Sequence, residues 1–161
     1  MVSYVAVIQY IILACPIRYY PLTSHLYPIN HNLKFRIFAG MIKDFIAIGA
    51  GGAVGAMLRY GMTVLGVHLH WSSNLPTFLV NVVGSFVMGI LISSCGQGTL
   101  MMMLTVGLCG GFTTFSTFSM QSLTLMQDGK WGQAALFILG TLIVCIMMAW
   151  IGCLVGQKLK L

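Results

Sequence analysis

The sequence predicts an all-α membrane protein with four transmembrane helices, and three observations carry that expectation. Hydrophobic residues make up 58% of the 161-residue chain and charged residues only 6%, whereas a soluble domain has roughly a quarter of its residues charged. So few charges do not cover a water-facing globule. From Met41 onward the apolar residues gather into four segments separated by short polar breaks, each near or above the roughly 20 residues that cross a bilayer as a helix. None of these segments alternates apolar with polar residues, so helices, rather than the strands of a closed barrel, satisfy the backbone in hydrocarbon.

Residues 1–40 stand apart from the rest. The stretch VAVIQYIILACPI is apolar over about 13 residues, short for a span, and it lacks the basic region that opens a secretory signal. RYYPLTSHLYPINHNLKFR, rich in Pro, His and Asn, reads as loop. Met41 then opens a stretch with the look of a natural start, so residues 1–40 are expected to be an N-terminal extension, disordered or not native, and 41–161 the four-helix transmembrane domain. The alternative for 1–40 is an extra membrane-associated segment.

The first span is expected over roughly 45–67, ending near HLHWSSN. The second covers about 76–95, with Pro76 in the first turn, where a missing N–H costs nothing. After a tight GQG connection, the third covers about 100–126 and stops at QDGKWG; the fourth covers about 133–155 and is closed by QKLKL. Small residues recur four apart at Gly51 and Gly55, Ser85 and Gly89, and Gly152 and Gly156. Such pairs let helices approach closely, and four short helices with small faces point to a partner copy that helps enclose any pathway.

The net charge of +6 comes from eight Lys/Arg against two acids. Lys34, Arg36, Lys43, Lys130, Lys158 and Lys160 lie outside the apolar runs, where they anchor at lipid headgroups. No basic and aromatic stripe suits a nucleic acid. The five cysteines are odd in number and include no CxxC, so neither a disulfide framework nor a metal cluster is read from them; in apolar segments they act as small hydrophobes.

The function classes narrow by what the spans lack. No Ser/His/Asp or Cys/His constellation and no HExxH occurs, which argues against an enzyme. The acids, Asp44 and Asp128, fall at segment ends; a proton-coupled exporter of this size commonly needs a buried carboxylate. Asn81 stands alone within FLVNVVGSF and must find helix partners or line a wet path. Arg59, near a helix end, is placed to snorkel. The run GGFTTFSTFS, Gly110 to Ser119, is poor material for a helix facing lipid. A break there frees carbonyls that suit a cation and a half-helix N-terminus that suits an anion. Phe115 and Phe118 would share a face if the helix resumes, with Ser116 and Thr117 as a polar strip beside them, and ring edges carry weak positive potential. The competing reading is a kinked packing helix whose hydroxyls bond back to their own turn. On residue chemistry alone the two stay open.

Three blocks, GGAVGAMLRY (51–60), PTFLVNVVGSFVMG (76–89) and GLCGGFTTFSTFS (107–119), occur in an order and spacing that resemble the CrcB/Fluc fluoride channels from about Met41 to the end. The resemblance implies a passive fluoride-selective channel in the bacterial plasma or inner membrane, exporting fluoride that entered as HF. It implies an antiparallel dual-topology homodimer with two pores and a central structural Na⁺. The fluoride pathway would fall to Asn81, Phe115, Ser116, Thr117, Phe118, Thr141 and Arg59. The backbone carbonyls of Gly110 and Thr113 would hold the Na⁺. Two departures stand out: Phe137, followed by Thr141, replaces the family's usual Tyr and Ser, and Gln121 replaces its Glu. They raise the alternative of a non-conducting subunit in a paired heterodimeric channel. The other rival is a small proton-coupled exporter.

Overall fold

The computed structural model describes residues 31–94, 96 and 98–159, with side chains from residue 40 onward. Most of the expected extension, residues 1–30, therefore lies outside the described residues, while 31–40 form the start of the first helix. Helix α1 runs His31–His68 and α2 runs Leu75–Ser94. Helix α3, residues 99–112, begins as Thr99–Met102, widens to a π-helix over Met103–Cys109 and closes with Gly110–Phe112. After the extended residues Thr113 and Thr114, α4 covers Phe115–Gln127 and α5 covers Trp131–Lys158. Taken with the break, these make four segments long and apolar enough to cross a membrane: Gly40–His68, Leu75–Ser94, Thr99–Gln127 and Trp131–Lys158. The expected spans coincide with them to within a few residues.

The third span changes partners at its break. Before it, the π-helical stretch and residues 110–112 pack on α1; after it, α4 packs on α5 and, to a smaller extent, on α2. The most extensive contact of all joins α2 to α5. The fold is thus two helix pairs, α1 with α3 and α2 with α5, tied together by one span that crosses from the first to the second.

Glycine makes both pairs possible. A methyl group at Gly51 would overlap the Met103 carbonyl, and one at Gly55 the Leu108 carbonyl and Phe112 N. On the other pair, Gly89 lies against the Ala149 carbonyl, Gly152 against the Phe86 carbonyl and Gly156 against the Ile90 carbonyl. Backbones in lipid gain little from hydrophobic exclusion, so van der Waals contact at this range is what holds them. The pairs expected at 51/55 and 152/156 pack as anticipated. At 85/89 only Gly89 does so, because Ser85 turns toward a cavity.

The outside is apolar. Phe45, Ile46, Met57, Leu136 and Ile146 are among many large hydrophobes left exposed, and few apolar side chains among the described residues are buried within the chain. Such a belt suits hydrocarbon and would aggregate in water. At the ends, Asp44 accepts a hydrogen bond from Thr99 Oγ1 at 2.7 Å, joining the starts of the first and third spans, while Lys130 pairs with Asp128 at 3.0 Å in the exposed α4–α5 turn. That turn closes with Lys130 N donating to the Leu125 carbonyl and Gly129 at φ 73, the left-handed position where only glycine is unstrained.

Gly55→Ala is expected to cost about 1–3 kcal/mol of thermal stability in detergent, the range for overpacking a tight contact. Gly61→Ala, which meets nothing within 4 Å, is expected to be neutral or stabilising by up to roughly 1 kcal/mol through helix propensity. Equal melting shifts for the two would contradict close packing at Gly55.

Candidate functional site

The break is organised by a pairing between helices. Asn81 Oδ1 accepts from the Thr114 N–H at 2.8 Å, and Asn81 Nδ2 donates to the Thr114 carbonyl at 3.2 Å. An amide side chain has the donor and acceptor of a peptide unit, so it can stand in for a neighbouring backbone. Thr114 is buried, and without Asn81 its N–H would be left unpaired, while its carbonyl, at the N-cap of α4, would keep only the helix's own first donor. Thr114 also caps α4: its Oγ1 accepts from Thr117 N at 3.3 Å and donates to Thr117 Oγ1 at 3.0 Å, and Ser116 Oγ lies 3.3 Å away.

These contacts redirect N–H groups that a continuous helix would use otherwise. The Thr114 N–H would have bonded the Gly110 carbonyl and the Thr117 N–H the Thr113 carbonyl; instead they go to Asn81 Oδ1 and Thr114 Oγ1. The carbonyls of Gly110 and Thr113 thereby lose their ordinary helical donors. Both are neutral, hard oxygens, a donor type that suits an alkali or alkaline-earth cation. Among the described residues no cluster of three or more His, Cys, Asp or Glu side chains is placed to bind a metal.

Beside the break lies a cavity of about 220 Å³ lined by Asn81, Ser85, Thr113, Phe115, Phe118, Thr141, Leu142 and Cys145. Its walls come from α2, the break, α4 and α5, so it exists only because the third span crosses between the helix pairs. Asn81 uses one of its two N–H groups on Thr114, leaving the other available to the cavity. Thr141 is only 4% exposed, and its Oγ1 has no hydrogen-bond partner among the described residues. Most span hydroxyls behave differently: Ser93, Thr105, Thr113, Ser119, Ser122 and Thr124 each donate to the carbonyl four residues before them. Thr141 does not follow this rule, and it does so at the cavity wall.

Phe118 is 6% exposed and Phe115 75% exposed, yet both line the cavity. Their ring centroids are 5.5 Å apart, and Phe118 continues to Phe137 at 5.2 Å, both pairs tilted. The substitution of Phe at 137 therefore extends an aromatic row. Gln121, the other departure, donates through Nε2 to the Ser73 carbonyl at 2.9 Å, tying α4 to the α1–α2 connection.

Of the residues singled out in the sequence, the cavity gathers Asn81, Thr113, Phe115, Phe118 and Thr141. Ser116 and Thr117 are exposed and turn to the Thr114 cap, and half-buried Arg59 on α1 is not part of the lining. Gly110 sits at the break without lining the cavity. Thr114, Ser85 and Cys145 were missed. Ser85 follows Asn81, and Cys145 follows Thr141, by four residues, so helical spacing from the polar residues already noticed would have found both.

Fold and site together define a small multi-pass membrane protein built around an interrupted helix and a largely apolar cavity into which a few polar residues are gathered. The profile of the CrcB-like protein family, also described as Camphor Resistance (CrcB), matches residues 46–153. The chain is 38% identical over 117 residues to the fluoride-specific ion channel FluC of Opitutus terrae, covering 67% of this chain and 88% of that protein. It is 37% identical over 118 residues to fluoride-specific ion channel FluC 1 of Listeria monocytogenes, covering 72% and 99%. With the FluC of Thermus thermophilus it shares 35% identity over 127 residues, covering 73% and 97%. The chain belongs to the CrcB family.

Asn81→Ala leaves the Thr114 N–H unpaired and is expected to cost about 1–3 kcal/mol in stability, the penalty for a buried unsatisfied group. Thermal unfolding in detergent measures it; an unchanged melting temperature would contradict the clamp.

Proposed function

We propose that this chain is a passive fluoride-selective channel that exports fluoride from the cytoplasm and lowers its toxicity. The observation that carries the reading is the cavity beside the break, where neutral donors and aromatic rings meet with no carboxylate among its lining residues. Its kinship with proteins named as fluoride-specific ion channels supports the choice of ion.

Fluoride is small and strongly hydrated, so giving up water demands close donors. The second Asn81 N–H, the Thr141 hydroxyl and the Ser85 hydroxyl supply them from α2 and α5. Phe115 and Phe118 offer ring edges, whose partial positive charge attracts an anion without placing a full charge in hydrocarbon. A fixed cation in the path would hold the ion too tightly, whereas conduction needs binding weak enough for exit. Ser116 and Thr117 would continue the path as a polar strip where a second copy covers their exposed side, and Arg59 would raise the local anion concentration at its mouth.

The working unit is a homodimer, with a second homologous subunit as the alternative partner. High exposure of Phe115 and of the hydroxyls beside it favours completion by another chain. The carbonyls of Gly110 and Thr113 would hold a structural Na⁺. When bound, it supplies positive potential near the path and ties the breaks of two chains together. The chain's own part is to keep those oxygens free of N–H donors.

Purified full-length chain in liposomes is expected to pass fluoride in response to voltage and to retain chloride. Phe118→Ile is expected to lower fluoride efflux about tenfold or more, and Phe115→Ile to lower it as well, with the protein still folded, since each removes a charge-stabilising ring edge. Flux that tracks an imposed proton gradient instead would sink the channel reading in favour of an exporter. Normal flux in both variants would remove the rings from the mechanism.

Residues 1–40 are proposed to be dispensable, since the family match begins at residue 46. A chain starting at Met41 should give the fluoride efflux of the full chain in the same vesicles; loss of flux with intact folding would assign the extension a role.

A further inference from the structure

We propose that Cys145 is a water-accessible modification site inside this cavity, and that a small thiol-directed electrophile bonded there closes it. The inference rests on the fluoride reading for its consequence, but its chemistry stands on geometry.

Cys145 lies one helical turn beyond Thr141 on α5 and is half-buried, lining the same cavity as Asn81, Ser85, Thr113 and Thr141. A thiol at that depth in an apolar helix would ordinarily face lipid or packed side chains and stay inert. The second observation is Thr141: its Oγ1 is buried, lacks a hydrogen-bond partner among the described residues and belongs to the wall beside the sulfur. A buried hydroxyl left unpaired in hydrocarbon is costly. The cavity beside it, about 220 Å³, is room for several waters. Water that enters this space meets the half-buried Cys145.

Selectivity among the thiols follows from burial. Cys109, in the π-helical stretch, and Cys153, at the α2–α5 contact, are both buried and are absent from the cavity lining. Cys145 is the thiol among these three that a hydrophilic reagent meets. With an alkyl methanethiosulfonate, the Cys145 thiolate attacks the sulfenyl sulfur. A new S–S bond forms, the S–SO₂ bond breaks, methanesulfinate leaves with the electron pair, and the thiol proton passes to water. The adduct then occupies space that a permeating ion must cross.

The test uses the full chain in liposomes and a membrane-impermeant methanethiosulfonate bearing a trimethylammonium group. Peptide masses give the modified positions, and fluoride efflux is compared with each protein's own untreated rate. The expected result is an adduct on Cys145 but not on Cys109 or Cys153, with efflux falling about tenfold or more, as expected when a bonded group fills a path ions must leave. Cys145→Ser should keep its own untreated efflux after the same treatment. Two results overturn the proposal: Cys145 left unmodified in the folded protein while denatured chain is labelled, or full labelling with efflux unchanged. Untreated vesicles that pass no fluoride would defeat the fluoride reading; an adduct on Cys145 would then still support the wet thiol.

Discussion

Two hydrogen bonds between the Asn81 side chain and the Thr114 backbone, at 2.8 and 3.2 Å, hold the rest of the site in place. They give a buried, extended residue an acceptor for its N–H that its own helix cannot, and a second donor for its carbonyl. A break at membrane depth is tolerable only when its backbone is satisfied by protein or water, and here one amide from α2 satisfies the most enclosed part of it. With Thr114 fixed, its hydroxyl caps α4 and the third span leaves α1 for α5. Phe118 is thereby carried inward and the Gly110 and Thr113 carbonyls lose their helical donors.

Neutrality is the second theme. A carboxylate beside the cavity would repel an anion, and a buried ammonium would trap one. The lining instead presents one amide, three hydroxyls, a thiol and two aromatic rings. Hydroxyls in membrane helices usually close on their own carbonyls, as Ser93, Thr105 and Ser122 do, and so contribute little to a passing ion. Thr141 is set apart by having no such closure. The distinction separates hydroxyls closed on their own helix from one that is not, and composition alone does not reveal it.

The four spans were legible because length and apolar content decide membrane crossing almost by themselves, as 45–67 and 76–95 illustrate against Gly40–His68 and Leu75–Ser94. The break was legible too, since Gly110-Gly111 before paired threonines favours interruption. Its mechanism was not: Asn81 and Thr114 are 33 residues apart, and nothing local to either announces the other. Of the readings left open for the hydroxyl run, the break and the resumed helix are present, and Ser119 bonds back to its own turn as the packing reading expects. Ser85 was read as a packing residue and Cys145 as a small hydrophobe, since residue type does not reveal which face of a helix meets a cavity. The π-helix at Met103–Cys109, which lies against Gly51 and Gly55 of α1, left no mark in the residue pattern either.

The most direct measurement is a dipolar distance by solid-state nuclear magnetic resonance in lipid bilayers, between ¹⁵N at Thr114 and ¹³Cγ at Asn81 in selectively labelled protein. A hydrogen bond of 2.8 Å from Thr114 N to Asn81 Oδ1 predicts strong dephasing of that pair, from the carbon bonded to the acceptor. Absent dephasing, with Thr114 N instead close to the Gly110 carbonyl carbon, would mean a continuous third helix. The cavity, the freed carbonyls and the ion path built on them would then all be contradicted.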